Sequence, residues 1–137
     1  MIIMSVDTGK ARTGIAVSDR TEFLASPVEV IKEGYMPHLL EKTAAAARRL
    51  GAELIVVGLP RNMDGSEGES AANSRLFAEE LTKLCGIETV MFDERCTTMA
   101  AHTYLNSTNT RGKKRKETVD AVAAVIILQD YLDSKRR

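Results

Sequence analysis

The chain opens Met1-Ile2-Ile3-Met4-Ser5-Val6-Asp7-Thr8-Gly9-Lys10-Ala11-Arg12-Thr13-Gly14-Ile15-Ala16-Val17. An apolar run ends in one aspartate, the chain turns on glycine, and a second apolar run follows. This pattern predicts a buried strand over Ile2–Val6, a tight turn and an antiparallel return strand over Gly14–Ser18. It sets a carboxylate at the open end of a strand, beside backbone that glycine allows to approach closely. A site for a metal ion or a phosphate wants such an arrangement.

Outward from this hairpin, Phe23–Ile31 carries a weaker strand pattern, and Pro27 within it marks a sheet edge. Pro37 and His38 open a helix to about Leu50, with Leu39, Leu40, Ala44, Ala47 and Leu50 on its apolar face and Gly51 as its stop. Leu54-Ile55-Val56-Val57 is apolar at every position, as in a parallel strand covered on both faces. Leu59 to Gly68 reads as a loop. Glu69–Leu84 reads as a helix with Ala72, Leu76, Leu81 and Leu84 inward, and more weakly Ala78. Thr89–Phe92 is a short strand. Thr97 caps a helix ending near Asn106, Ser107–Lys116 reads as a polar, basic loop, and Val119–Leu132 as a final, largely buried helix. The order is three strands, a helix, a strand, a helix, a strand and two helices. A hairpin unit leading into right-handed crossovers gives an α/β fold, a mixed five-stranded sheet with helices on both faces. The ribonuclease H-like architecture has this order, with the first strand central.

With 137 residues the chain is expected to form a single domain over 1–137, with a core of useful size. Its formal net charge is +0, so the overall field favours no partner. Charge is nonetheless uneven, with Arg111, Lys113, Lys114, Arg115 and Lys116 crowded together. Cys85 and Cys96 lack metal-type spacing and read as reduced thiols of a cytoplasmic protein. The apolar start is too short for a signal peptide, and no stretch approaches the ~20 apolar residues of a membrane span.

Carboxylates fall where elements begin or end: Asp7, the pair Asp93-Glu94, and Asp120 in the first turn of the last helix. Sites gather beyond the carboxyl ends of parallel strands. Carboxylates meeting there repel unless a hard cation neutralises them, and Mg²⁺ or Mn²⁺ is the natural occupant. Each acid also has a plainer reading: Asp7 as a turn former, Asp120 as a complement to the helix dipole, Asp93-Glu94-Arg95 as a surface ion-pair cluster. Side chains alternate along a strand, so one of Asp93 and Glu94 faces the site. Glu94 is preferred for its longer reach toward Asp7. Arg61 and Asn62, in a glycine-containing strand-to-helix loop, are candidates for holding a phosphate backbone. The basic run, with Lys10 and Arg12, would neutralise phosphates that the carboxylates repel. Aromatic residues make up only 4%, which argues against a base-stacking platform for single strands.

Four blocks resemble the YqgF/RuvX family, described as pre-16S ribosomal RNA nucleases or Holliday-junction-resolvase-like proteins. They are Asp7 to Asp19, Val57 to Gly65, Asp93-Glu94-Arg95-Cys96-Thr97-Thr98, and Val119 to Gln129. The resemblance implies a ribonuclease H-like fold and a divalent-metal nuclease site on Asp7, Glu94 and Asp120. It also implies cytoplasmic trimming of the 5′ end of precursor 16S ribosomal RNA, on RNA alone or on the pre-ribosome. Branched DNA is the alternative substrate. A non-catalytic RNA-binding assembly factor is a further alternative, and the expected state is a monomer or weak homodimer. True junction resolvases place a second acid at the end of the strand assigned here to Leu54–Gly58, which instead runs into Gly58-Leu59-Pro60.

Overall fold

The computed structural model describes residues 1–62, 64–93 and 112–135, with backbone alone for 112–121. The elements are β1 (Ile3–Asp7), β2 (Arg12–Ser18), β3 (Ala25–Lys32), α1 (Met36–Leu50), β4 (Leu54–Leu59), α2 (Glu69–Cys85), β5 (Thr89–Asp93) and α3 (Gly112–Lys135). They build a five-stranded sheet of order β3-β2-β1-β4-β5, with β1 central as expected. β1 pairs antiparallel with β2 and parallel with β4, and β5 is parallel to β4. The expected helix over Thr97–Asn106 and residues 107–111 lie outside the described residues.

The turn after β1 is as close as its sequence demands. A Cβ on Gly9 would lie 2.4 Å from the carbonyl oxygen of Arg12, so a side chain there would force the hairpin open. β3 forms the sheet edge. Its register against β2 slips between Ile15↔Glu29 and Ala16↔Pro27, leaving Val28 as the extra residue of a bulge. Pro27, which has no N–H to donate, thus sits on an outer strand beside an irregularity, where a lost ladder bond costs least.

The two faces of the sheet have separate cores. Met4, Val6, Ile15, Ile31, Ile55 and Val57 pack with α1 and α2 around Phe77 and Leu81. Ile3, Ala16, Ala25, Leu54 and Val56 pack with Ala124, Ile127, Leu128 and Leu132 of α3. All six residues of β4 are buried, as its unbroken apolar run requires. α1 follows its expected stripe, with Leu39, Ala44 and Ala47 inward, and it ends at Gly51 in the left-handed conformation.

Two expectations are corrected. α2 turns Ala71, Ser74, Phe77, Ala78 and Leu81 inward, whereas Leu76 and Leu84 are 48% and 46% exposed. Ser74 interrupts the apolar stripe in the sequence, yet it is buried because its hydroxyl meets that of Thr8 at 2.9 Å. The last helix starts at Gly112 and not at Val119, so residues 113–116 are helical. Straight-chain Lys and Arg are good helix formers, and the apolar segment that follows anchors them.

Candidate functional site

Asp7 is the last residue of the central strand, half-buried. Alternation puts it on the face of Ile3 and Ser5, which is the face that α3 covers. The level of α3 along β1 is set by two hydrogen bonds. Gln129 Oε1 accepts from the Ala25 amide at 3.0 Å. Ala25 pairs with Ser18, whose Oγ accepts from the Ile3 amide at 2.8 Å. Two residues further along β1, Ser5 Oγ donates to the Ala124 carbonyl at 2.7 Å, with Ser5 fully buried. The helix thus runs opposite in sense to β1. Two further strand residues, about 6.6 Å, match about four helical residues at 1.5 Å each. Asp7 is therefore level with the turn of α3 that carries residue 120. The side chain of Asp120 lies outside the described residues.

At the end of β5, alternation decides the face of Asp93. Thr89 reaches α2, its Oγ1 donating to the Ala78 carbonyl at 3.2 Å, and Met91 packs into the same core. Val90 and Phe92 pack on the α3 side, with Phe92 edge-on to Tyr131 at 6.0 Å. Asp93 therefore belongs to the α2 face, away from Asp7, and its carboxylate lies 3.9 Å from Arg61 Nη1. Glu94 lies outside the described residues.

Arg12 begins β2 on the face of Asp7 and is diagonal to it, since Asp7 pairs with Gly14. Long side chains reach across such a diagonal. Lys10 is exposed in the β1–β2 turn. Arg61 is more committed: besides Asp93 it pairs with Glu67 at 3.5 Å, and its Nε is buried with no hydrogen-bond partner among the described residues. Glu67 is held below the usual carboxylate range first by its hydrogen bond to Arg75, with Arg61 contributing. Asn62 closes its own loop. Its amide nitrogen Nδ2 donates to Ser66 Oγ at 2.9 Å and its backbone N–H to the Ser66 carbonyl at 2.8 Å. With Arg61 bridged to Glu67, this segment is a small hairpin and not an open cradle.

Arg111 lies outside the described residues, and Lys113, Lys114 and Arg115 are placed by backbone only. They occupy the first turns of α3, roughly 7–11 Å beyond the level of residue 120 by helical rise. Cations at a helix N-terminus oppose the macrodipole, and no acid offsets them in the first turn.

The sequence model of the RuvX family, described as Holliday junction resolvase, matches residues 1–134. The chain belongs to the RuvX family. A Bacillus cytotoxicus relative named "Putative pre-16S rRNA nuclease" is 39% identical over 137 residues, covering 98% of this chain and all of the relative. A Bacillus thuringiensis protein of the same name is also 39% identical with the same coverage. Among solved structures, the fowlpox virus resolvase in complex with Holliday junction DNA is similar with a TM-score of 0.64 at 13% identity, covering 100% of both chains. RuvC of Thermus thermophilus gives a TM-score of 0.61 at 13% identity, covering 99% of this chain and 96% of that one. These likenesses establish the ribonuclease H-like fold of this RuvX protein. Family and relatives together make it a phosphodiester hydrolase acting on nucleic acid.

RuvX membership implies divalent-metal chemistry. Among the described residues no three His, Cys, Asp or Glu side chains come together as a metal set. Asp7 is the described member of the expected set. Its hard oxygen donors, at a strand end level with residue 120, fit a magnesium-like ion. No helix among the described residues is long and apolar enough to cross a membrane.

Proposed function

We propose that this protein is a divalent-metal-dependent endonuclease that trims the 5′ end of precursor 16S ribosomal RNA in the cytoplasm, as one domain over 1–137. The observation that supports the reading is the level of α3 against β1, with Ala124 bonded to Ser5 and Gln129 to Ala25, from which helical rise carries residue 120 toward the level of Asp7. Asp7 and Asp120 would hold Mg²⁺ or Mn²⁺, with Glu94 completing the set. The alternation of β5 supports Glu94 over Asp93, because Asp93 belongs to the α2 face.

A divalent ion in such a set supplies Lewis-acid activation of water and charge stabilisation at the phosphoryl group. Glu94 orients the attacking water and accepts its proton. Arg12, beside Asp7, and Lys10 offset the charge of the phosphates on either side of the cleaved bond. Lys113, Lys114, Arg115 and Arg111 hold the strand beyond the sheet, where the start of α3 adds its own positive potential. Arg61 and Asn62 shape the neighbouring wall, Arg61 through the carboxylates it bridges.

A branched-DNA reading has one observation in its favour, the family description itself. Against it, β4 ends in buried Leu59 with no acid. Junction resolution needs two sites on a two-fold dimer. The deciding experiment is cleavage of precursor 16S RNA and of a four-way DNA junction by wild type and Asp7→Asn. RNA cleavage lost in the variant is expected. Equal cleavage by both proteins overturns the site, and junction cleavage by a stable dimer overturns the substrate.

A further inference from the structure

A cavity of about 440 Å³ lies beside the proposed active site, on the opposite face of the sheet from Asp7. Thr8, the next residue after Asp7, is on its wall. Leu39 and Phe77 form an apolar floor and Met36 a side. The β1–β2 turn closes another side: a Cβ on Gly34 would lie 3.2 Å from the Lys10 carbonyl oxygen, so glycine permits the two loops to meet. The volume is within the roughly 300–1,000 Å³ of small-ligand pockets.

The rim carries Lys10, Glu69, Ser70 and Asn73, whose side chains make no hydrogen bond or ion pair among the described residues. Glu33, also on the rim, is tied to Lys42 at 2.9 Å. With Glu33 offset by Lys42, the rest of the rim carries one carboxylate and one ammonium, so it has no excess of positive charge to select an anion by itself. A flat neutral ring is a better match, with its faces on the apolar floor and its edge on groups that both donate and accept. Asn pairs with bases bidentately, Ser suits donors or acceptors, and Glu accepts from an exocyclic amino group. Unpaired RNA bases are read on such edges.

We propose that this cavity takes one unpaired nucleobase carrying an exocyclic amino group, from a nucleotide flanking the cleaved bond. Asn73 and Glu69 read its edge, and Lys10 holds the adjoining phosphate. The cavity then contributes substrate specificity. This rests on the nuclease reading, since Asp7 and Thr8 are consecutive and set pocket and site at one end of β1.

The test is a methyl NMR titration of full-length protein, following Met36 and Leu39, with cytidine, adenosine and uridine monophosphates and inorganic phosphate. Cytidine or adenosine monophosphate is expected to shift these methyls, with uridine monophosphate at least about 5-fold weaker and phosphate without effect. Loss of one good edge contact is worth about 10-fold in affinity. Asn73→Ala and Glu69→Gln, both at exposed positions, should each weaken cytidine or adenosine monophosphate by that much, and Asp7→Asn should not. Phosphate moving the methyls as strongly as the nucleotides overturns the base assignment, as does indifference of all nucleotides. Should RNA cleavage fail while the methyls respond, the nuclease reading falls and the pocket stands. Should cleavage hold while they stay silent, the pocket alone falls.

Discussion

The two faces of the sheet are covered in different ways. On one, α1 and α2 pack by apolar contact around Phe77, with Leu39 and Leu81 beside it. On the other, α3 is the helix among the described residues; it packs its own apolar cluster and is also tied by polar bonds, Ser5 donating to the Ala124 carbonyl and Gln129 accepting from the Ala25 amide and donating to the Phe23 carbonyl. Apolar packing tolerates a sliding helix better than a directional hydrogen bond does. The first face thus supplies bulk stability. The second sets the level at which residue 120 stands against Asp7.

The sharpest break in this comparison is a change that removes activity and leaves stability alone. Asp7→Asn should lower RNA cleavage by at least about 10³-fold, about 4 kcal/mol of transition-state stabilisation, with an unchanged melting temperature. A comparable loss of stability would mean that Asp7 serves the fold. Leu81→Ala should do the reverse, since Leu81 is fully buried in the same core and does not line the cavity beside Thr8. Truncating this buried side chain costs about 2–5 kcal/mol, read by urea unfolding, with cleavage per folded molecule retained. Ser5→Ala mixes the two faces' roles. It removes one buried hydrogen bond, worth about 1 kcal/mol, yet frees α3 to shift, so activity should fall further than stability does. Equal behaviour of Ser5→Ala and a surface substitution would show that other contacts hold the level.

The smallest effect concerns the β2–β3 turn, where Asp19 accepts hydrogen bonds from Thr21 Oγ1 and from the Phe23 and Leu24 amides. The Thr21 bond, then the Leu24 and Phe23 amides, hold its carboxyl down at about 2, against 3.8 ordinarily. A lowered folded-state value stabilises above the unfolded value and is lost as pH falls through the folded one. The stability gap between wild type and Asp19→Ala should therefore be full at neutral pH and close between about pH 4 and pH 2. A gap that persists at pH 2 would show that the turn does not depend on the charged form.

Much of this was legible along the chain. The hairpin at Asp7, the unbroken apolar run of β4, the edge role of β3 with its Pro27, and the stop at Gly51 follow from local pattern. The inward face of α2 did not follow. Leu76 and Leu84 outweigh Ser74 on any hydropathy count, but Ser74 has a partner in Thr8, in the turn after β1 and 66 residues away in sequence. The start of α3 was hidden in the same way, because its polar first turns carry no apolar signal of their own. Arg61 and Asn62 read as open phosphate ligands, since nothing local announces that Glu67 and Ser66 would turn back to meet them.

By itself the sequence determined the order of the described elements, the acid at the end of the first strand and membership of the RuvX family. These rest on apolar periodicity and on motif blocks, which are properties of neighbouring residues. Only the tertiary structure decided that Asp93 belongs to the α2 face, that residue 120 stands level with Asp7, and that a cavity opens beside Thr8. Each depends on strand pairing and helix registry between distant segments, where a shift of one residue along a strand turns every side chain to the other face.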